Sequence, residues 1–149
     1  MSFQNESNEV KGKFIVLEGL DGAGKSTHLK LLAKALGEKG RRVYITAEPS
    51  STAAGGIIRE TLSGISCRSA EELAALFLAD RINHNMNPSN GIKQFIDKGI
   101  DVICDRYYYS SFAYQGLDSD IDWLMDCNLK CPAILKCSLI LIRKYVLRE

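Results

Sequence analysis

Residues 19–26 read Gly19-Leu20-Asp21-Gly22-Ala23-Gly24-Lys25-Ser26 and satisfy the pattern G-x-x-x-x-G-K-[ST]. They stand between an apolar run at residues 14–17 and a segment with leucines and alanines at spacings of three and four, which predicts a strand, a glycine-rich turn and a helix. Such glycines let successive backbone N–H groups point into one cavity, and the helix start adds the positive end of its dipole. The segment is therefore predicted to be a P-loop that binds the triphosphate of ATP.

Two side chains of this segment are predicted to act on the nucleotide directly. The ammonium group of Lys25 is expected to reach the β- and γ-phosphates. The hydroxyl of Ser26 is expected to ligate Mg²⁺, a hard ion that keeps several waters and bridges phosphate oxygens. ATP and Mg²⁺ are thus the predicted nucleotide and metal ion.

Further strands and helices alternate along the rest of the chain. A helix is predicted to begin at the capping box formed by Ser69 and Glu72 and to end or break at Asn87-Pro88. A loop is predicted to extend to Gly56, before a short helix. Apolar runs at residues 43–46, 102–104 and 139–142 predict three more strands. This alternation predicts an α/β fold with a parallel sheet and right-handed crossovers.

Length and composition restrict the class of protein. The 149 residues fit one domain, with residues 1–12 predicted as a flexible N-terminal tail and residues 13–149 as the folded domain. Lys plus Arg number 19 and Asp plus Glu number 18, so no broad basic field is predicted for a nucleic-acid polymer or a membrane surface. The sequence shows no secretory signal and no apolar run that could span a bilayer, which predicts a cytoplasmic protein.

The cysteines favour reduced thiols over a disulfide framework. There are five of them, an odd number, and they occur without an export signal. Cys127, Cys131 and Cys137 are close in sequence, but their spacing is not that of a zinc site. They are predicted to be small, buried apolar residues.

A second group of charged residues lies around the predicted third strand. Asp105 ends that strand, the position from which a carboxylate reaches the Mg²⁺ shell in an open α/β sheet. Arg106 follows directly, and Arg81 stands on an earlier helix. Two arginines near a nucleotide indicate a second phosphorylated substrate, because guanidinium groups bind phosphate oxygens through two parallel hydrogen bonds.

Each of these residues has a simpler interpretation from pattern alone. Asp80-Arg81 and Asp105-Arg106 are both compatible with surface ion pairs worth under ~1 kcal/mol. Phe77 lies on the apolar face of its helix, which is more typical of a core residue than of a side chain that stacks on a base. The residue patterns leave these choices open.

Four segments together resemble the thymidylate kinase family, in the same order and at similar spacings. They are residues 19–27, residues 46–49 (Thr-Ala-Glu-Pro), residues 76–81 (Leu-Phe-Leu-Ala-Asp-Arg) and residues 105–116 (Asp-Arg-Tyr-Tyr-Tyr-Ser-Ser-Phe-Ala-Tyr-Gln-Gly). The last segment is the most specific, and the resemblance extends over residues 13–135. It implies a three-layer P-loop kinase fold around a parallel sheet, transfer of phosphate from ATP to dTMP for dTTP biosynthesis, and a homodimer.

The resemblance also implies a role for each matching residue. Residues that would hold ATP are Gly19, Leu20, Asp21, Gly22, Ala23, Gly24, Lys25, Ser26 and Thr27, with Ser26 and Asp105 at the metal ion. Residues that would act on the transferring phosphoryl group are Lys25, Asp21, Asp105 and Arg106. Residues that would bind dTMP are Glu48, Phe77, Arg81, Arg106, Ser111, Tyr114 and Gln115, with the arginines at its phosphate, Phe77, Ser111 and Gln115 at its base, and Tyr114 against its deoxyribose.

The sequence departs from the family pattern in two ways, at Ala47 and in the absence of a lid. Ala47 stands where many members carry an arginine that helps to bind the acceptor phosphate. Gly22 resembles the members that take a catalytic arginine from a mobile lid after the fourth strand. Because family members are usually longer than this chain, the chain is expected to lack that lid and the last strand, so that the domain is incomplete at its C-terminal end.

Three functions remain as hypotheses. The first is a dTMP kinase. The second is a deoxynucleoside kinase, whose acceptor is an uncharged hydroxyl and which would need a general base near the end of the first strand, where Glu18 stands. The third is a nucleotide-binding remnant that does not transfer phosphate. A GTPase is disfavoured because no N-K-x-D motif is present to bind guanine.

Overall fold

A parallel four-stranded sheet with helices on both faces forms the centre of the protein. The computed structural model describes residues 10–142. The elements are β1 (Phe14–Glu18), α1 (Lys25–Glu38), β2 (Val43–Ala47), α2 (Ala53–Leu62), α3 (Ala70–Met86), α4 (Ile92–Asp97), β3 (Asp101–Asp105), α5 (Tyr108–Tyr114), a short 3-10 helix (Gln115–Leu117), α6 (Ile121–Leu129) and β4 (Ser138–Leu141). The predicted α/β fold with a parallel sheet is confirmed.

The order of strands brings the functional segments to one edge of the sheet. The order is β2-β3-β1-β4, and all neighbouring strands are parallel. Leu17 on β1 and Ala47 on β2 both pair with Asp105 on β3, so these three strands end side by side. The P-loop, Glu48 and Arg106 each follow one of these ends, and ligand crevices in open α/β sheets lie outside the carboxyl ends of the strands.

Side chains of β1 alternate between two apolar clusters, one on each face of the sheet. Ile15 and Leu17 pack with Leu29 of α1. Phe14 and Val16 pack on the other face, with Ile92 of α4 and with residues of α5. All five residues of β1 are buried, as expected for a strand covered on both faces. Helices, sheet and helices therefore form three layers.

Most predicted boundaries agree with the structure within one or two residues, but α2 begins earlier than expected. The predicted loop to Gly56 ends at Thr52, whose hydroxyl accepts a hydrogen bond from the Gly55 N–H at 3.2 Å and caps the helix. A Cβ atom on Gly55 would lie 2.0 Å from the carbonyl oxygen of Ser50. The glycines that predicted a loop instead permit this close approach of α2 to the preceding segment.

Gly12, the last residue of the predicted tail, packs against the end of α4 and the residue before β3. Its N–H donates to the Ile96 carbonyl at 2.8 Å, and a Cβ at this position would lie 1.9 Å from the Ile100 carbonyl oxygen. Residues 1–9 of the predicted tail, and residues 143–149 of the predicted domain, lie outside the described residues. Within the part of the chain that is described, no helix has the length and apolar character needed to cross a membrane.

The thiols are free, and several are shielded from solvent. Cys104 on β3 is buried, Cys127, Cys131 and Cys137 are half-buried, and Cys67 is exposed. Burial raises the pKa of Cys104 well above its ordinary value and raises the pKa of Cys137 to about 11. A raised pKa disfavours the thiolate, which is the nucleophilic form of cysteine.

Replacing Asp101 by asparagine tests the structural ion pair at the amino end of β3. The Asp101 carboxylate is 1% exposed and accepts hydrogen bonds from the Lys13 N–H at 2.8 Å and from Arg41 at 2.5 and 2.8 Å. We expect Asp101→Asn to lower the free energy of unfolding by about 2 kcal/mol near neutral pH, measured by urea denaturation.

The decrease in unfolding free energy caused by Asp101→Asn is expected to depend on pH. The hydrogen bond from Arg41 holds the pKa of Asp101 below its ordinary value, so the ionised carboxylate stabilises the folded state at neutral pH. That contribution is lost as the pH falls from about 4 through the lowered pKa of the folded state. The unfolding free energies of the parent and of Asp101→Asn should therefore converge at acidic pH. If they differ as much at about pH 3 as at about pH 7, the ionised Asp101 carboxylate does not stabilise the folded state in this way.

Candidate active site

The P-loop connects β1 to α1 as predicted, and its glycines adopt backbone conformations that other residues rarely reach. Gly22 has φ of 76° and Gly24, the residue before α1, has φ of 90°. The Lys25 ammonium is 7% exposed and donates to the carbonyls of Gly19 at 2.9 Å and Leu20 at 3.1 Å. Its charge is therefore held at the centre of the loop, next to the N-terminus of a fourteen-residue helix.

Arg106 reaches from the end of β3 across to the P-loop. Its φ of 71° lies in the left-handed region, which costs a non-glycine residue about 1–2 kcal/mol. The guanidinium donates to Asp21 at 2.6 Å and to the Ser110 hydroxyl at 2.9 Å, and it lies 5.4 Å from the centre of the Tyr114 ring. Burial lowers the pKa of Arg106, but bonding to Asp21 helps to raise it above its ordinary value. The strained backbone thus places a permanent cation beside the P-loop.

Glu18, the general base of the deoxynucleoside kinase hypothesis, caps helix α5. Its Oε1 accepts from the N–H groups of Tyr107 at 2.8 Å and Ser110 at 3.1 Å, and its Oε2 accepts from the Ser110 hydroxyl at 2.6 Å. Glu18 is 5% exposed. Both carboxylate oxygens are engaged by donors at the start of this helix, so Glu18 has a structural role, which weighs against this hypothesis.

Ser26 and Asp105 have the chemistry that a magnesium ion requires. The Ser26 hydroxyl is exposed at the first turn of α1. Asp105 Oδ1 is buried and has no hydrogen-bond partner among residues 10–142. A buried carboxylate oxygen without a partner is costly unless a cation or ordered water completes it, and Mg²⁺ prefers oxygen ligands together with water. These two residues therefore fit the predicted metal ion.

A cavity of about 250 Å³ opens beside the P-loop. All but one of the predicted dTMP-binding residues line this cavity. Its wall also includes residues that were not predicted from the sequence to bind dTMP. The lining residues are Asp21, Glu48, Pro49, Leu62, Phe77, Arg81, Arg106, Tyr107, Ser110, Tyr114 and Gln115. Phe77 is half-buried in this wall rather than enclosed in the core, which favours the base-stacking interpretation over the core interpretation.

Ser111 is the predicted dTMP-binding residue that does not line the cavity. It is 1% exposed, and its hydroxyl accepts a hydrogen bond from Arg81 at 3.2 Å. The structure thus places Ser111 behind Arg81. Gln115, which was predicted together with Ser111 to lie at the base of dTMP, is 8% exposed and does line the cavity.

Arg81 joins three parts of the protein at the back of the cavity. It is 1% exposed, and its guanidinium pairs with Glu48 at 2.7–2.8 Å and donates to Asn128 Oδ1 on α6 at 2.6 Å. The same group lies 5.3 Å from the centre of the Tyr107 ring. Because most of its donors are already bonded within the protein, Arg81 presents a fixed positive charge rather than a mobile side chain to the cavity.

The surface interpretation of the two Asp-Arg steps is wrong. Asp80 and Arg81 are both buried and bind different partners: Asp80 accepts hydrogen bonds from Ser50 and Thr52, and Arg81 binds Glu48. Arg106 pairs with Asp21 of the P-loop instead of its neighbour in sequence. Neighbouring side chains on these elements point in different directions, so adjacency in sequence did not predict the pairs.

Asn128 and His84 belong to the same polar network and were not predicted. Asn128 accepts from Arg81 and donates to the Leu124 carbonyl at 2.9 Å. His84 lies one helical turn after Asp80 and approaches Glu48 at 3.3 Å. The spacing of His84 from Asp80 and Arg81 was a usable signal, because residues three and four apart share a helix face.

A second, more apolar cavity of about 770 Å³ lies on the other side of Arg106, along the P-loop and the end of β4. Its lining residues are Glu18, Gly19, Leu20, Ala23, Arg106, Tyr109, Ser110, Ala113, Tyr114, Leu117, Leu141 and Ile142. Arg106, Ser110 and Tyr114 line both cavities, so they form the partition between them.

Comparison with known proteins agrees with this geometry. Residues 17–142 match the family model for thymidylate kinase. A probable thymidylate kinase from Thermococcus gammatolerans is 47% identical over 128 residues, which is 78% of this chain and 59% of the relative. A probable thymidylate kinase from Methanocaldococcus jannaschii is 48% identical over 108 residues, which is 72% of this chain and 52% of the relative. The chain thus spans between half and three fifths of the length of these relatives.

Two solved thymidylate kinase structures have a similar fold. A thymidylate kinase from Ehrlichia chaffeensis superposes with a TM-score of 0.75 at 29% identity, over 89% of this chain and 76% of the other. A thymidylate kinase from Candida albicans superposes with a TM-score of 0.67 at 28% identity, over 79% of this chain and 57% of the other.

Proposed function

The chain belongs to the thymidylate kinase family, and on that premise we propose that the protein transfers the γ-phosphoryl group of ATP to dTMP, giving ADP and dTDP. The observation that carries the proposal is the position of Arg106. This residue contacts Asp21 of the P-loop and lines the cavity that also contains Phe77 and Arg81. One cation is therefore adjacent to the predicted donor phosphates and to a pocket with an aromatic wall.

The cavity of about 250 Å³ that Phe77, Arg81 and Arg106 line, here called the acceptor cavity, suits a nucleoside monophosphate by its charge and its shape. Arg81 and Arg106 supply two positive charges for a phosphate group, and Phe77 supplies an aromatic ring on which a base can stack. Tyr114, which is 42% exposed, stands at the opening beside Arg106 and would lie against the sugar. A neutral nucleoside carries no phosphate with which these two guanidinium groups could interact.

The reaction needs alignment more than acid-base chemistry. A monophosphate dianion is already a nucleophile, so the protein mainly brings two anions together and neutralises the charge that develops during transfer. In this proposal Lys25, held within the P-loop, would contact the donor phosphates, and Arg106, which lines both cavities, would contact the transferred phosphoryl group. When bound at Ser26 and Asp105, Mg²⁺ would neutralise the phosphate oxygens of ATP.

We also propose that the protein is cytoplasmic and forms a homodimer through the surface around α2 and α3. Leu62 at the end of α2 and Ile65 just beyond it are 58% and 77% exposed, and apolar side chains of this size favour contact with a partner. Sedimentation of the purified chain would test the assembly. A monomer at all concentrations would contradict it.

The choice of acceptor tests the proposed function. Purified protein is incubated with ATP and Mg²⁺ and with either dTMP or thymidine, and ADP formation is followed by a coupled assay. We expect turnover with dTMP to exceed turnover with thymidine, because only dTMP engages the two arginines. Faster turnover of thymidine would overturn the proposal, and nucleotide binding without any dTDP would favour the non-catalytic hypothesis.

Replacing Arg106 by alanine is expected to weaken dTMP binding selectively. Loss of a charge-assisted contact to phosphate is worth roughly 1.5–3 kcal/mol, which corresponds to about 10- to 100-fold in the Kd of dTMP measured by calorimetry. Thymidine binding should change much less. Arg42→Ala is the matched control, because Arg42 is an exposed arginine that donates to the Lys98 carbonyl away from the cavity. Equal losses for dTMP and thymidine would contradict the phosphate role.

A further inference from the structure

The segment from Glu48 to Thr52, here called the 48–52 loop, joins the end of β2 to α2 and forms part of the acceptor cavity. Glu48 and Pro49 line the cavity. Ser50 and Thr52 do not line it and instead bind Asp80 of α3, and Ser50 is 6% exposed. The position of the cavity wall therefore depends on how this loop is attached to α3.

Asp80 attaches the far end of the loop. Its Oδ2 accepts from the Ser50 N–H at 2.7 Å, and its Oδ1 accepts from the Ser50 hydroxyl at 2.6 Å and from the Thr52 hydroxyl. Asp80 is 0% exposed. Three donors on one buried carboxylate hold the loop at both the backbone and the side chains, which a single apolar contact cannot do.

His84 attaches the near end of the loop. Its Nδ1 lies 3.3 Å from Glu48 Oε1, and its Nε2 lies 2.7 Å from the Thr46 hydroxyl on β2. Arg81 holds the other oxygen of the same glutamate. With Nδ1–H donating to Glu48, Nε2 accepts from the Thr46 hydroxyl, so one imidazole orients the carboxylate relative to the end of β2.

We propose that Asp80 and His84 are positioning residues that fix the 48–52 loop, and through it Glu48 and Arg81, for binding of the monophosphate. Neither residue lines the acceptor cavity. The claim about dTMP rests on the proposed function, whereas the attachment of the loop does not. A buried carboxylate is expensive to desolvate, so satisfying it with loop donors commits the loop to one arrangement.

The attachment of the loop is tested first by amide hydrogen exchange in the full chain. We expect Asp80→Ala to speed exchange of the Ser50 amide and its neighbours by about 10-fold or more, because their acceptor is gone. Asp101→Ala is the matched control: it removes another buried aspartate, which lies at the amino end of β3 and does not contact the loop, and it should leave exchange of the 48–52 loop unchanged. Unchanged exchange in Asp80→Ala, or an equal increase in Asp101→Ala, would overturn the proposal.

Ser50→Ala provides the same test from the loop side. It removes one donor to Asp80 and leaves α3 intact, so the proposal can be tested even if Asp80→Ala does not fold. Asp80→Asn should restore most of the protection, because an amide oxygen can still accept from the Ser50 N–H. Ser50→Ala should speed exchange of the loop less than Asp80→Ala does, because the residue-50 N–H and the Thr52 hydroxyl still donate to Asp80. Exchange in Ser50→Ala as fast as in Asp80→Ala, or Asp80→Asn behaving like Asp80→Ala, would contradict this assignment.

The role in acceptor binding is tested with two substitutions of His84. Asparagine places an amide near the former Nδ1 and can still donate to Glu48, whereas glutamine places its amide near the former Nε2 and cannot. We expect the Kd of dTMP to stay within about 3-fold of the parent in His84→Asn and to rise about 10-fold in His84→Gln, with Mg–ATP affinity unchanged in both. If the two variants change the Kd of dTMP equally, His84 has only a structural role. The same conclusion follows if a variant loses affinity for Mg–ATP and for dTMP to the same extent.

The two claims fail in different ways. If the parent chain binds no dTMP, the proposed function is wrong, and the exchange experiment still decides whether Asp80 holds the loop. If the loop loosens in Asp80→Ala but dTMP binds as tightly as before, the proposed function stands and the positioning role of Asp80 is rejected.

Discussion

Lys25→Ala is expected to weaken binding of Mg–ATP by about 100-fold or more, because charge-assisted hydrogen bonds contribute ~1.5–3 kcal/mol each and Lys25 is expected to make more than one to the phosphates. The ammonium is nearly buried at the base of the P-loop, where water screens its charge weakly. Titration calorimetry of the purified chain measures the effect. The fold should persist, since among residues 10–142 Lys25 binds only carbonyls of its own loop and the exposed Asp21.

Lys34→Ala is the matched control for this experiment. Lys34 lies on the same helix, pairs with Glu38 at 3.8 Å and is 75% exposed. Its removal should leave the Kd of Mg–ATP unchanged, because exposed charge pairs of this kind contribute little. If Lys25→Ala binds Mg–ATP as tightly as Lys34→Ala does, the P-loop does not bind the triphosphate and the proposed function cannot stand.

Arg81→Met is expected to lower the free energy of unfolding by about 3–5 kcal/mol and to abolish measurable dTMP binding. Methionine fills much of the space but leaves the Glu48 carboxylate buried without its cation, and removal of one partner from a buried pair costs that much. Asn128 and Ser111 lose a donor at the same time. Urea denaturation measures the stability, and calorimetry measures the affinity.

A double-mutant cycle separates the ion pair from the rest of this effect. We expect Arg81→Met combined with Glu48→Gln to be less destabilised than the sum of the two single substitutions, since the second change removes the unpaired charge. Arg68→Met is the surface control, because Arg68 pairs with the half-exposed Glu72 and should cost under about 1 kcal/mol. An additive cycle would show that the Glu48–Arg81 pair is energetically unimportant.

The sequence was sufficient to predict the P-loop, the parallel sheet and most of the residues that line the candidate site. A P-loop is recognised within eight consecutive positions, and strands and helices are recognised from apolar side chains a few residues apart. These signals depend on neighbours along the chain. The caps at Ser69 and the helix end at Asn87 were predicted for the same reason, because each needs only local hydrogen bonds.

Only the tertiary structure decided which charged groups meet. Arg106 and Asp21 are 85 residues apart, Ser110 and Glu18 are 92 apart, and Arg81 and Asn128 are 47 apart. No local pattern specifies such pairs, because they form only when parallel strands align their carboxyl ends and the helices pack against the sheet. For that reason Glu18 looked like a general base and is a helix cap, Asp80 looked like half of a surface ion pair and holds the 48–52 loop, and His84 and Asn128 were missed.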